Sequence, residues 1–147
     1  MKIINRLVFL LSILGIFISL YLLERYITGG HVACGPVSVG FECDTVKNSM
    51  YSLFLGIPLP AYGLVFYFTI FFLSFIKTII ISHQKLIDSF LLFFSFFGVL
   101  VSVYLLYLEL FVIFAVCLWC TISGIISGAI FLLCLKSLNI FGTSSKA

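Results

Sequence analysis

The sequence predicts an all-α membrane protein: a four-transmembrane-helix bundle with a short amphipathic helix in its first extracytoplasmic loop. Three observations carry this. Of the 147 residues, 63% are hydrophobic and only 9% charged, where a soluble domain carries about 25% charged residues, so the chain has too little polar surface to coat a water-soluble sphere. The few charges leave four uncharged runs, at residues 7–23, 48–76, 89–108 and 110–135, and crossing a bilayer takes roughly 20 mostly apolar residues. The runs are continuously apolar and do not alternate with period two, which marks helices and not barrel strands. This composition excludes a soluble enzyme, a nucleic-acid binder and a disordered chain.

The first helix is expected at about residues 6–24. Lys2 and Arg6 precede it, as in a secretory signal, but 7–23 exceeds the usual ~7–15-residue apolar core. Leu22-Leu23-Glu24-Arg25 follows in place of a small-residue cleavage site. Val32-Ala33-Cys34 resembles a lipid-attachment box faintly, yet His31 stands where an aliphatic residue belongs. The run therefore reads as a retained span.

Residues 25–59 form the only sizeable region outside the bilayer, with Gly29, Gly30, His31, Gly35, Pro36 and Gly40 among them. Inside this loop Asp44 or Thr45 can cap a helix that begins at Cys43. Val46, Met50, Leu53 and Phe54 fall on one face of it, and Gly56 with Pro58 ends it. The expectation is a short helix lying apolar face down on the bundle. The remaining spans are expected at about 60–81, 88–109 and 115–136, joined by short links, with a frayed tail from Gly142. In the last span, Gly124-x-x-x-Gly128 with Ser123 and Ser127 makes a close-packing stripe that could also leave space for a ring. Residues 1–147 read as a single domain.

Orientation follows from the Lys and Arg bias near span ends. The side holding the N-terminus, the 77–88 link and the tail collects Lys2, Arg6, Lys77, Lys85, Lys136 and Lys146. The side holding 24–60 and 109–115 collects only Arg25 and Lys47. Both termini are expected in the cytoplasm, with the 25–59 loop facing the periplasm or its equivalent. Glu109, near the outer end of the third span, reads as an interfacial residue.

Four of the five cysteines, Cys34, Cys43, Cys117 and Cys120, map to that outer, oxidising side, where disulfides persist. Cys134 lies 14 residues beyond Cys120, about 21 Å further along a helix, and reads as an inert buried thiol. Cys117 and Cys120 form a C-x-x-C at a helix start. There the first thiol meets unpaired N–H groups and the positive helix end, which favour a thiolate. Such a pair can also be half of a zinc site or a structural staple. Two pairs on one membrane face can instead form a relay, because thiol–disulfide exchange passes two electrons through a mixed disulfide. His31 reads as an exposed loop histidine that could move a proton near Cys34.

The run Cys34…Cys43-Asp-x-Val-x-x-Ser49-x-Tyr51…Gly56-Ile57-Pro58, followed by Cys117-Leu-Trp-Cys120 at the head of the last helix, resembles the bacterial vitamin K epoxide reductase family over about residues 7–135. The resemblance implies a quinone-dependent thiol oxidase. Cys34 would exchange with a periplasmic thioredoxin-like (DsbA-like) protein, Cys43 would pass electrons to Cys117, and Cys120 would face a membrane quinone, ubiquinone or menaquinone. Ser49 would hydrogen-bond near the C-x-x-C sulfurs and the quinone. No metal is expected. Gly124 stands where animal members carry a Tyr. Many bacterial members carry a fused thioredoxin domain, and the partner here is expected to be a separate protein. The implied location is the inner (cytoplasmic) membrane, multi-pass. Two other readings compete. One is a DsbB-type oxidase of unrelated sequence, which places its C-x-x-C in the first outside loop. The other is a membrane scaffold or assembly protein with purely structural disulfides.

Overall fold

The computed structural model describes residues 2–34, 42–79 and 84–144, and side chains between residues 3 and 139 of these. The helices are α1 (Lys2–Thr28), α2 (Cys43–Lys47), α3 (Leu59–Ile79), α4 (Gln84–Leu108) and α5 (Leu118–Ser144). A single 3₁₀ turn, Met50–Ser52, and a two-strand hairpin, β1 (Leu53–Phe54) with β2 (Ile57–Pro58), connect α2 to α3. A π-helical turn, Glu109–Ile113, extends α4.

Four helices are long and apolar enough to cross a membrane: Ile3–Thr28, Leu59–Ile79, Gln84–Ile113 and Leu118–Asn139. The shortest has 21 residues, about 31 Å at 1.5 Å per residue, which matches the hydrocarbon core. The chain is an all-α membrane bundle. α1 packs on α3, α3 on α4, α4 on α5 and α5 back on α1, so the four helices close a ring. Tyr67, Ile70, Leu91 and Ile130 fill its centre, with Ser12, Ser74, Ser95 and Ser127 fully buried between helices. These small side chains let the backbones approach, which matters where lipid removes the hydrophobic drive to associate. At Gly15 an added Cβ would run into the Tyr67 ring, and at Gly98 into the Phe66 ring. Large apolar side chains such as Phe17, Phe68, Phe93 and Leu132 point outward, as a lipid-facing surface requires.

At the end away from the 25–59 loop, the Lys77 ammonium pairs with the Asp88 carboxylate and donates to Ser137 Oγ at 3.3 Å. This joins α3, α4 and α5. Cys134 is buried there, with its sulfur 3.8 Å from Ser95 Oγ. The second span was expected to reach 81; residues 80–83 lie outside the described residues, as do Gly35, Pro36 and Gly40 of the loop. The tail expected to fray from Gly142 is helical through Ser144, and 145–147 lie outside the described residues.

The loop helix begins at Cys43 as expected but stops at Lys47. Ser49 is extended at ψ 154°, and the hairpin turns through Leu55 at φ 53° and Gly56 at φ 80°. The left-handed conformation at Gly56 is the one glycine adopts without steric cost, so the Gly-Ile-Pro stretch specifies a tight turn where a longer helix was expected. Of the expected apolar face, Val46 packs on the buried cluster around Cys43 and Cys117, whereas Met50 is 92% exposed and Phe54 59%.

Candidate functional site

The site lies where the loop meets the start of α5. Cys34 and Cys43 are joined in a disulfide, with Cα atoms 5.9 Å apart. Val32, Cys34, Cys43 and Cys117 form a small buried cluster, and Tyr21 and Trp119 pack against it. The sulfurs of Cys34, Cys43 and Cys117 all lie within 4.8 Å of one another. Joined in a disulfide, Cys34 and Cys43 offer no thiolate to a metal. Cys34, which the resemblance assigns to exchange with a soluble protein, is only 8% exposed, because the segment before it is drawn onto the bundle.

Three sets of hydrogen bonds draw it there. The Trp119 indole N–H donates to the Ala33 carbonyl at 2.7 Å, and the Ala33 N–H donates to Tyr21 Oη at 3.1 Å. Asp44 accepts the Val32 N–H at 3.0 Å and contacts His31 Nδ1 at 2.8 Å. The Glu42 N–H donates to the Val116 carbonyl at 3.1 Å, which ties the segment before Cys43 to the residue before Cys117. The His31 bond, followed by the Val32 bond, holds the Asp44 carboxyl below its ordinary value.

Cys117 immediately precedes α5, and its sulfur caps that helix. The Cys120 N–H donates to Cys117 Sγ at 3.3 Å, and the Thr121 N–H to the Cys117 carbonyl at 3.0 Å. The Cys120 thiol, hydrogen-bonded to the Cys117 sulfur, holds the Cys117 thiol below its ordinary range. Main-chain N–H groups of Cys120 and Trp119 add to this, while burial and the Glu109 carboxylate oppose it. A thiol held so ionises readily and is the better nucleophile of a pair.

Glu109 is the residue that the sequence reading misplaced. It is not at an interface with water: it is 4% exposed. Its Oε2 accepts the Cys117 N–H at 3.1 Å, and a carboxylate oxygen lies within 4.8 Å of both the Cys117 and Cys120 sulfurs. The π turn makes this possible. It closes through the Ala115 N–H on the Glu109 carbonyl, 3.1 Å, and ends at Phe114 in a left-handed conformation, φ 55°. A bulky residue there stores backbone strain of about 1–3 kcal/mol, and π turns recur at functional sites. A signal was available: an acid that closes a 20-residue uncharged run and stands eight positions before the C-x-x-C is costly in a span and functional by default.

Ser49 stands apart from the C-x-x-C. Its hydroxyl donates to the Val46 carbonyl at 2.7 Å, and it lines an open cleft of about 550 Å³ with Tyr26, His31, Asp44 and Lys47. His31 is exposed, as expected, and contacts Asp44 and not Cys34.

Below Cys120, the seam between α4 and α5 is built from small residues. Ser127 lies seven positions on, about 10 Å deeper on the same helix face. A Cβ on Gly98 would run into the Phe66 ring and come within 2.9 Å of the Ser127 hydroxyl, so the seam is closely packed there, and one on Gly128 would meet nothing within 4 Å. The Ser127 hydroxyl is buried without a hydrogen-bond partner among the described residues. An unsatisfied buried hydroxyl beneath a thiol fits a quinone, whose oxygens accept hydrogen bonds.

Four helices able to span a membrane, with two cysteine pairs gathered at one end, define an all-α membrane protein with a cysteine cluster at one surface. The chain matches the model of the Vitamin K epoxide reductase family over residues 6–135, and it belongs to that family. It is accordingly an oxidoreductase of a family with quinone-linked disulfide redox function. No curated protein matches it.

Proposed function

We propose that the protein is a quinone-dependent thiol oxidase that generates disulfides. Electrons pass from a periplasmic thioredoxin-like protein through Cys34 and Cys43 to Cys117 and Cys120, and then to ubiquinone or menaquinone. The observation that carries this reading is the approach of the Cys34, Cys43 and Cys117 sulfurs to within 4.8 Å of one another, a short step from in-line exchange.

In this reading a partner thiolate attacks Cys34, the Cys34–Cys43 bond breaks, and Cys43 leaves as a thiolate. The burial of Cys34 means that the segment 28–34 lifts for this step. Cys43 then attacks Cys117 in the oxidised C-x-x-C, and the electron pair of the broken bond stays on Cys120. The partner's second thiol displaces Cys34 from the mixed disulfide and leaves with the partner's own disulfide formed; the freed Cys34 then attacks Cys43, and the pair of the Cys43–Cys117 bond stays on Cys117. The helix cap on Cys117 favours its departure as a thiolate. The quinone supplies the two-electron acceptor that reoxidises Cys117 and Cys120. Ser49 is read, from the family resemblance, as a hydrogen-bond donor to the charged intermediate, a role that requires it to leave the Val46 carbonyl and approach the C-x-x-C. The enzyme sits in the inner membrane with its site on the periplasmic side and both termini in the cytoplasm, as the charge asymmetry implies.

The test is quinone reduction by the purified protein in lipid nanodiscs, with a reduced thioredoxin-like protein as donor. Cysteine-dependent bleaching of the quinone absorbance is expected. No reduction with either ubiquinone or menaquinone overturns the reading. A reporter active only in the periplasm, fused after Ala147, should be silent; activity there overturns the orientation.

A further inference from the structure

Glu109 is a buried acid beside two thiols, with no cation paired to it among the described residues. We propose that Glu109 is the proton acceptor and donor of the C-x-x-C, exchanging a proton directly with the Cys120 sulfur. The proposal rests on the reading of that pair as redox-active.

The geometry is that of a held base. One carboxylate oxygen is anchored by the Cys117 N–H at 3.1 Å, and a carboxylate oxygen lies within 4.8 Å of the Cys120 sulfur. The π turn and the left-handed Phe114 fix the residue that carries it. The titratable groups facing it are Cys117 and Cys120. From α2, packed on the π turn, Cys43 is held in its disulfide, Asp44 is engaged by His31 and Lys47 by the Gly30 carbonyl at 2.7 Å.

The chemistry requires such a group. Cys117 is set to ionise by its place at the helix start, whereas Cys120 lies one turn inside the span. When the pair is oxidised, the Cys120 S–H bond breaks and its proton passes to the Glu109 carboxylate. The Cys117 thiolate forms the S–S bond with Cys120, and two electrons leave to the quinone acceptor. The neutral Glu109 gives its proton to the reduced acceptor, and solvent supplies the second. When the pair is reduced, Cys43 attacks the Cys117 sulfur, the S–S electron pair goes to Cys120, and a neutral Glu109 protonates it. A general base aligned in this way typically contributes about a hundredfold or more to a rate.

The test uses neither quinone nor partner. In full-length protein in nanodiscs, with Cys34, Cys43 and Cys134 replaced by Ala, an aromatic disulfide reagent reacts in two phases. The first is capture by Cys117; the second is attack by Cys120 that closes the C-x-x-C and releases a second aromatic thiolate. Glu109→Gln can still accept the Cys117 N–H, so a merely structural role survives it. It should slow the second phase by about a hundredfold at neutral pH, move that phase's pH profile to the alkaline side and leave the first phase close to its original rate. Glu109→Asp, with its carboxylate withdrawn by one methylene, should be slowed less, and it keeps the test decisive should the Gln variant fold poorly. A second phase in either variant that is as fast as with Glu109, or faster because a repelling charge has gone, overturns the proposal. Absence of quinone reduction by the unmodified enzyme would instead strike the oxidase reading and leave this result standing.

Discussion

The indole N–H of Trp119, inside the C-x-x-C, is hydrogen-bonded at 2.7 Å to the carbonyl of Ala33, the residue before Cys34. One bond thus couples the two cysteine pairs: the side chain between Cys117 and Cys120 fixes the backbone that presents Cys34. Tyr21 takes the other side of the same residue, through the Ala33 N–H at 3.1 Å, and its ring packs against Trp119 at 5.4 Å between centroids. The docked loop is a property of the C-x-x-C as well as of the loop.

Trp119→Phe keeps most of the ring and removes the bond. A neutral hydrogen bond is worth about 0.5–1.5 kcal/mol net, so the undocked fraction of the loop should rise by about two- to tenfold. Hydrogen exchange at the Val32 and Ala33 amides is the measure. Unchanged protection of both amides in the variant would show that the bond does not hold the loop.

Asp44 gives the same loop a pH dependence. Its carboxyl is held below the ordinary value by the His31 bond first and the Val32 N–H next. A carboxyl whose folded value is depressed contributes fully above the unfolded value and loses that contribution as pH falls through the folded one. Loop protection should therefore be level from neutrality down to about pH 5 and decline below ~4. Asp44 is 37% exposed in its side chain, so the change is modest. Asp44→Asn should flatten the profile; the same acid decline in that variant would point to another group.

At the far end of the bundle, Asp88→Ala leaves the buried Lys77 without its carboxylate. Removing one partner of a buried ion pair costs about 3–5 kcal/mol, whereas replacing both by apolar residues is often near neutral. The single variant should unfold in detergent well below the wild-type temperature, and Lys77→Met combined with Asp88→Leu should recover most of the loss. Equal loss in the single and double variants would mean that packing there, and not charge, sets the stability.

The spans were legible because bilayer crossing imposes its own composition, and four uncharged runs leave little choice of fold. The C-x-x-C was legible because Cys117 and Cys120 sit at a helix start that a run boundary marks. Three features were not. The loop helix was overextended because Val46, Met50, Leu53 and Phe54 keep helical spacing, yet Ser49 and Gly56 break the backbone there. The burial of Cys34 depends on bonds to Tyr21 and Trp119, 12 and 86 residues away. Glu109 was missed because an acid at the end of an uncharged run reads as interfacial, whereas its burial depends on the chain folding back through the π turn to bring the Cys117 N–H onto its carboxylate.

The relay itself makes the final prediction. In turnover Cys43 joins Cys117 with Cys120 as the leaving sulfur; without Cys120 the same bond forms when the Cys117 thiolate attacks Cys43 in the Cys34–Cys43 disulfide and Cys34 leaves. Cys120→Ala also removes the thiol that could displace Cys43 back from Cys117. Once Cys43 and Cys117 are oxidised together, only Cys34 remains to reopen the bond, and it can do so only by re-forming the disulfide with Cys43. A Cys43–Cys117 crosslink should therefore accumulate in Cys120→Ala, and Cys34→Ala added to it should make that crosslink persist. Cys43→Ala should trap the opposite species, a mixed disulfide between Cys34 and the thioredoxin-like donor. Cys134→Ala should leave both patterns and the overall rate unchanged, because its sulfur lies against Ser95 at the other end of the bundle. Mass spectrometry of alkylated tryptic peptides reads all four. A Cys120→Ala protein whose Cys43 and Cys117 are recovered only as free thiols under oxidising conditions would break the order Cys34, Cys43, Cys117, Cys120.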